Sequence, residues 1–124
     1  MTDPASLSAL QSRLAVVLHG LHHPPLGSAA ALAEEVGELS KHLVDHHCYG
    51  KPFDRTAFGA ELADVFICLA ELATLHGVDF EAATLAKISK IEAKAPGWRT
   101  ELGGALDRAW RTPYGDAVRP PEPG

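Results

Sequence analysis

Leu7, Leu10, Leu14, Val17 and Leu21 recur at steps of three and four residues, and the rhythm returns in Leu32, Val36, Leu39 and Leu43 and again in Val65, Cys68 and Leu72. A 3.6-residue period places such residues on one face of a helix, whereas a half-buried strand needs strict alternation, which is not sustained in this chain. The expected fold is therefore all-α. Pro24-Pro25 and Gly27 should end the first helix, and a second is expected from near Ser28, a candidate N-cap, to about His46. Cys48-Tyr49-Gly50-Lys51-Pro52 reads as a loop. A third helix is expected from Thr56 to His76, with Gly77 as its left-handed terminator. Asp79 then caps a fourth, Phe80 to about Lys94, which Pro96-Gly97 should stop. With Val78 alone between Gly77 and Asp79, helices three and four should be antiparallel neighbours. Leu102, Leu106 and Trp110 suggest a short extra helix over 100–111. The expected organisation is a four-helix domain over 1–98, an extension over 99–117 and a flexible, proline-bearing tail over 118–124.

A chain of 124 residues is long enough for one domain with a real core, and 46% hydrophobic with 22% charged residues excludes a disordered polymer. The formal charge of −5 argues against nucleic acid or an anionic membrane as the partner. Cys48 and Cys68 give no disulfide framework, and Cys68 sits in the apolar run Val65–Leu69 as an ordinary buried thiol. No basic-then-apolar leader is evident, and Asp64 and Glu71 interrupt the apolar runs well short of a membrane span, so a cytoplasmic protein is expected.

The acidic residues conflict with this helical pattern. Glu34, Glu35 and Glu38 fall within an arc of roughly 100° on helix two, where like charges one turn apart destabilise a helix. Glu61 shares the stripe of Val65, Cys68 and Leu72, the face that should enter the core, and Asp64 flanks it. An unpaired carboxylate there is expensive, and two are worse. A divalent cation resolves both conflicts, because Mg²⁺ takes hard oxygen ligands and keeps its remaining places for water or phosphate.

In this order and spacing, Glu34-Glu35-Val36-Gly37-Glu38 and Glu61-Leu62-Ala63-Asp64 resemble the EExxE…ExxD signature of the all-α nucleotide pyrophosphohydrolases, the MazG, dCTP pyrophosphatase and dimeric dUTPase superfamily. The resemblance extends from roughly residue 22 to 98 and takes in His23-Pro24, the Gly77-Val78-Asp79 turn and a lysine-bearing fourth helix. It implies a four-helix MazG-like bundle that hydrolyses a nucleoside triphosphate between the α and β phosphates, releasing the monophosphate and pyrophosphate. It also implies that Glu35, Glu38, Glu61 and Asp64 hold Mg²⁺, with Mn²⁺ as a substitute. Glu34 completes the catalytic group with Glu35 and Glu38, as a further ligand or as the base for the attacking water.

Lys87, Lys90 and Lys94 form a basic stripe on the fourth helix. Lys87 and Lys94 are candidates to grip the triphosphate as point charges, while Lys90 reads as solvated. His23 is a further candidate substrate contact. Many family members carry K-x-x-K-N in this helix, and here Ile91 stands in place of the asparagine, where it cannot donate or accept a hydrogen bond. His42, His46, His47 and Cys48 could suggest a transition-metal site, but no Glu-x-x-His pair supports a di-iron arrangement, and these residues read as pocket-flanking or surface groups. Phosphoribosyl-ATP pyrophosphohydrolase is the enzymatic rival, and a catalytically silent nucleotide-binding or interaction module is the rival of another class. Phe66 and Ile67, beside the Val65–Leu72 stripe, leave apolar surface that a homodimer or homotetramer would cover.

Overall fold

The computed structural model describes residues 3, 5–112 and 123. They form four helices, with no strand among the described residues: α1 (Leu7–Val17), α2 (Pro25–Tyr49), α3 (Arg55–Leu75) and α4 (Phe80–Trp110). The all-α fold read from the periodicity is thus the observed one. The chain divides into two compact units, Met1–Thr84 and Leu85–Gly124.

Local chemistry explains most of the helix ends. Ser6 Oγ accepts from Ala9 N at 3.1 Å to start α1, and Asp54 Oδ1 accepts from Ala57 N at 3.0 Å to start α3. Asp79 Oδ1 accepts from Ala82 N at 3.0 Å to start α4, as the sequence suggests. Each cap satisfies one of the amides that a helix start leaves without a partner. Gly77, at φ +65°, takes the left-handed conformation that closes the end of α3.

Four boundaries differ from expectation. α1 ends at Val17, well before Pro24-Pro25. α2 runs through Cys48 and Tyr49, expected as loop, to a left-handed Gly50 at its end. The other two are the start of α2 and the end of α4. α2 starts three residues before Ser28, because Pro25 at its first position has a helix-ready φ and an amide nitrogen with no proton to satisfy. Ser28 therefore lies inside the helix, 3% exposed, instead of capping it. α4 does not stop at Pro96-Gly97 but continues to Trp110, so the separate short helix expected over 100–111 is its continuation. Proline removes one i→i−4 bond, and the helix-favouring residues on both sides (Ala93, Lys94, Ala95, Arg99, Glu101, Leu102) carry the helix past that loss. The boundary expected at residue 98 falls within this helix, and the tail expected over 118–124 lies, apart from Pro123, outside the described residues.

In the first unit, α3 is the shared wall: α2 packs along it extensively and α1 packs on it as well. The α3–α4 turn is tied to α1 through Gln11, whose Nε2 donates to Val78 O at 2.9 Å and whose Oε1 accepts from Phe80 N at 3.2 Å. Ser8 Oγ donates to Glu81 Oε2 at 2.9 Å, and Phe80 stacks on Phe66 with ring centroids 6.2 Å apart, so the first turn of α4 folds back onto α1 and α3. Among the described residues Ala70 is the one fully buried apolar side chain. Val36, Leu43, Leu62 and Leu69 are all more than one-third exposed. No described helix is long and apolar enough to cross a membrane.

Candidate metal and nucleotide site

α2 and α3 run antiparallel, and their cross-helix pairs fix the register. Ser28 meets Glu71, Glu35 meets Glu61 and Asp64, and His42 meets Phe58, while His46 meets Phe53 in the loop that leads into α3. Ser28, Glu35 and His42 are spaced by seven residues, two helical turns, so they stack along one seam. Such a seam normally takes apolar side chains, yet its middle layer is acidic.

In that layer Glu35, Glu61 and Asp64 each offer one carboxylate oxygen, all three lying within 4.8 Å of one another. Glu35 and Glu61 are half-buried, and Asp64 is exposed at the rim. Glu61 Oε2 is buried without a hydrogen-bond partner. A carboxylate accepts but cannot donate, so its acidic neighbours satisfy it only if one of them holds a proton or a cation sits between them. Desolvation pushes the Glu35 carboxyl above its ordinary value of 4.5, and Asp64, the carboxyl–carboxyl contact with Glu61, and the Glu61 and Glu34 charges push the same way. Desolvation foremost, then the charges of Glu35, Glu71 and Asp64, also raise the Cys68 thiol.

The donor set fits a hard divalent cation: three carboxylates, no sulfur or imidazole among them, one side open to solvent. Glu34 and Glu38, also read as part of the site, stand exposed on α2 outside this trio. Lys87 and Lys94 are exposed on α4 in the second unit, as are Lys90 and Ile91.

One functional-looking residue, Glu71, escaped the sequence reading, and its partner Ser28 was expected only as a cap. Glu71 Oε1 accepts from Ser28 Oγ at 3.0 Å and from His23 N at 3.3 Å, and the Nδ1 atoms of His22 and His23 each lie 3.7 Å away. Desolvation pushes the Glu71 carboxyl up, but the Ser28 and His23 N–H bonds and the two imidazoles outweigh it and hold it below 4.5. The only trace in sequence is spacing, since Glu71 lies seven residues after Asp64 and Ser28 seven before Glu35. The His23 ring itself is largely exposed. At the far end of the seam His46 Nδ1 is 2.7 Å from Lys51 O, His42 packs edge to face on Phe58 and His46 on Phe53, and the two phenylalanine rings are tilted against each other. These histidines are packing groups, and among the described residues they form no metal-ligating cluster.

The chain is 35% identical to the dATP/dGTP diphosphohydrolase of Cyanophage S-2L over 105 residues, which make up 83% of this chain and 88% of that protein. No family model matches the chain. No solved structure matches it either.

Proposed function

Because the chain belongs to the nucleoside triphosphate pyrophosphohydrolase family of that phage enzyme, we propose that it hydrolyses deoxynucleoside triphosphates to monophosphates and pyrophosphate in a Mg²⁺-dependent reaction. The observation that carries this reading is the buried, unpartnered Glu61 oxygen among three converging carboxylates. The name of the relative favours purine deoxynucleotides, dATP and dGTP, as the first substrates to test.

In this reading Glu35, Glu61 and Asp64 hold Mg²⁺, with Mn²⁺ able to replace it, and Glu38 joins them by a change of rotamer from the adjacent turn of α2. The bound metal supplies charge neutralisation at the phosphate oxygens and lowers the pKa of a coordinated water. The protein's own part is positional and electrostatic. α3 holds Glu61 and Asp64 one turn apart on a helix fixed at both ends by Asp54 and Gly77, so their oxygens converge without a flexible loop. Glu34, exposed on α2 beside the metal-holding Glu35, is the candidate further ligand or the base that takes the proton of the attacking water. His23, Lys87 and Lys94 are proposed to contact the nucleotide, the lysines as counter-charges to the phosphates.

A second copy of the chain is the proposed partner. The groove lined by Leu10, Leu14, Val17, Ala63, Phe66 and Ile67, with Arg13 beside them, is mainly apolar, and among the described residues no large side chain is fully buried. The experiment that tests the proposal is a panel of dATP, dGTP, the pyrimidine triphosphates and phosphoribosyl-ATP, assayed for pyrophosphate with and without Mg²⁺. Metal-dependent turnover of a deoxynucleoside triphosphate supports it. Turnover of phosphoribosyl-ATP alone assigns the rival activity. Mg²⁺-dependent nucleotide binding with no turnover assigns a silent binding module.

A further inference from the structure

Three carboxylates crowded between two helices push those helices apart when no cation is bound. A site of this kind needs something that keeps α2 and α3 in register without help from the metal. One end of the seam has the His42, His46, Phe53 and Phe58 ring cluster. The other end has a polar device centred on Glu71 and Ser28, two residues that the reaction as proposed does not use.

From these contacts we infer that Glu71 is a positioning residue for the metal site, acting through Ser28 and the His22–His23 segment to set the register of α2 against α3. The inference rests on the metal reading of the Glu35–Glu61–Asp64 trio. Glu71 is seven residues from Asp64 on α3, and Ser28 is seven from Glu35 on α2, so the latch lies two turns, about 10 Å, along the seam from the carboxylates. Ser28 is 3% exposed, and its hydroxyl donates to Glu71 Oε1 at 3.0 Å, a bond that fixes both axial and rotational placement of α2. The same oxygen accepts the His23 amide at 3.3 Å, so the chain entering α2 is held too. His22 Nδ1 is buried 3.7 Å from that oxygen, too far for a hydrogen bond but close enough to favour the ionised carboxylate. A slip of α2 by one residue would rotate Glu35 by about 100° off the seam, and the latch is the contact that forbids it.

The chemistry of the latch also explains why a carboxylate stands there. One oxygen must accept from a hydroxyl and a backbone amide arriving from different directions, and a carboxylate offers the lone pairs to do so. Gln keeps that acceptor and loses only the charge. Leu keeps the bulk and loses both.

The test compares wild type, Glu71→Leu, Glu71→Gln, Ser28→Ala and the Ser28→Ala/Glu71→Leu double variant. Mg²⁺ binding is measured by calorimetry well below the melting transition, melting is followed in EDTA, and the Mg²⁺ concentration for half-maximal dATP hydrolysis is set beside KM at saturating Mg²⁺. Glu71→Leu should weaken Mg²⁺ binding by about tenfold, as loss of an outer partner does elsewhere, and raise the half-maximal Mg²⁺ concentration in step. KM at saturating metal should change little. Glu71→Gln should recover most of the affinity. The double variant should be no weaker than Glu71→Leu, because both changes cut one latch. Should Glu71→Leu fail to fold, Ser28→Ala, which removes one hydroxyl, decides the matter by the same Mg²⁺ titration. Mg²⁺ affinity within about twofold of wild type, with only the melting temperature lowered, would overturn the positioning role and leave the metal site standing. A wild-type protein with no saturable Mg²⁺ binding would overturn the reading of the site itself, and this inference with it.

Discussion

Replacing Glu61 by Gln removes one charge from the acidic layer while keeping the shape of the side chain. In the metal-free protein that change should stabilise. Glu61 and Asp64 oxygens lie within 4.8 Å, where two unit charges repel by ~1 kcal/mol in a water-like medium and ~3.5 kcal/mol at an effective dielectric of about 20. Asp64 is exposed, so the lower figure applies, and for a chain of this size it corresponds to a rise in melting temperature of ~3–5 °C. The new amide also gives the acidic layer a donor, relieving the unsatisfied Glu61 oxygen. With Mg²⁺ the sign reverses. The variant has lost an anionic ligand, so its affinity should fall by tenfold or more, at least ~1.4 kcal/mol, and turnover by orders of magnitude. Differential scanning fluorimetry in EDTA and across a Mg²⁺ titration reads both halves on one sample. A Glu61→Gln protein that melts lower than wild type in EDTA, yet gains as much from Mg²⁺, would refute the view that these carboxylates repel one another and are relieved by a cation.

The Glu35 shift has a pH signature. A carboxyl raised in the folded state weakens the fold above its ordinary 4.5 and ceases to do so below it, so Glu35→Gln should raise metal-free stability at pH 7 and lose that gain as pH falls through 4.5. Glu71 has the opposite sign: its lowered value contributes stability above 4.5 that is lost as pH falls further, so Glu71→Gln should melt lower at pH 7 and match wild type in strong acid. Glu38→Gln should abolish most turnover without lowering metal-free stability, while Lys90→Ala leaves both near wild type; normal activity in the first would remove Glu38 from the site. Gly97→Ala should stabilise α4 by about 1 kcal/mol, since a Cβ there meets nothing within 4 Å, and circular dichroism melts would detect its failure to do so.

Legibility in the sequence follows the range of the interactions. The helical period, the Asp79 cap and the Gly77 terminator were readable because each depends on a few neighbouring residues. The Glu61 and Asp64 pairing was readable for the same reason, as one turn of one helix. Ser28 was misread as a cap because its partner, Glu71, is 43 residues away, and nothing near Ser28 signals a bond across to α3. Glu35 and Glu38 could not be ranked against each other from spacing, since the choice depends on how α2 rotates against α3; the structure turns Glu35 inward and leaves Glu38 exposed. Pro96 was read by its local rule, which the surrounding helix-favouring residues overrode.

The most direct test of the proposed reaction identifies its products. Purified protein is incubated with dATP or dGTP, and ³¹P NMR follows the phosphorus species with Mg²⁺ and with EDTA. Cleavage between the α and β phosphates gives one deoxynucleoside monophosphate and one pyrophosphate per triphosphate, in the Mg²⁺ sample alone, and Glu61→Gln should give neither. Release of orthophosphate with a diphosphate, undiminished turnover in EDTA, or equal rates from Glu61→Gln would contradict the proposed chemistry of the Glu35–Glu61–Asp64 site.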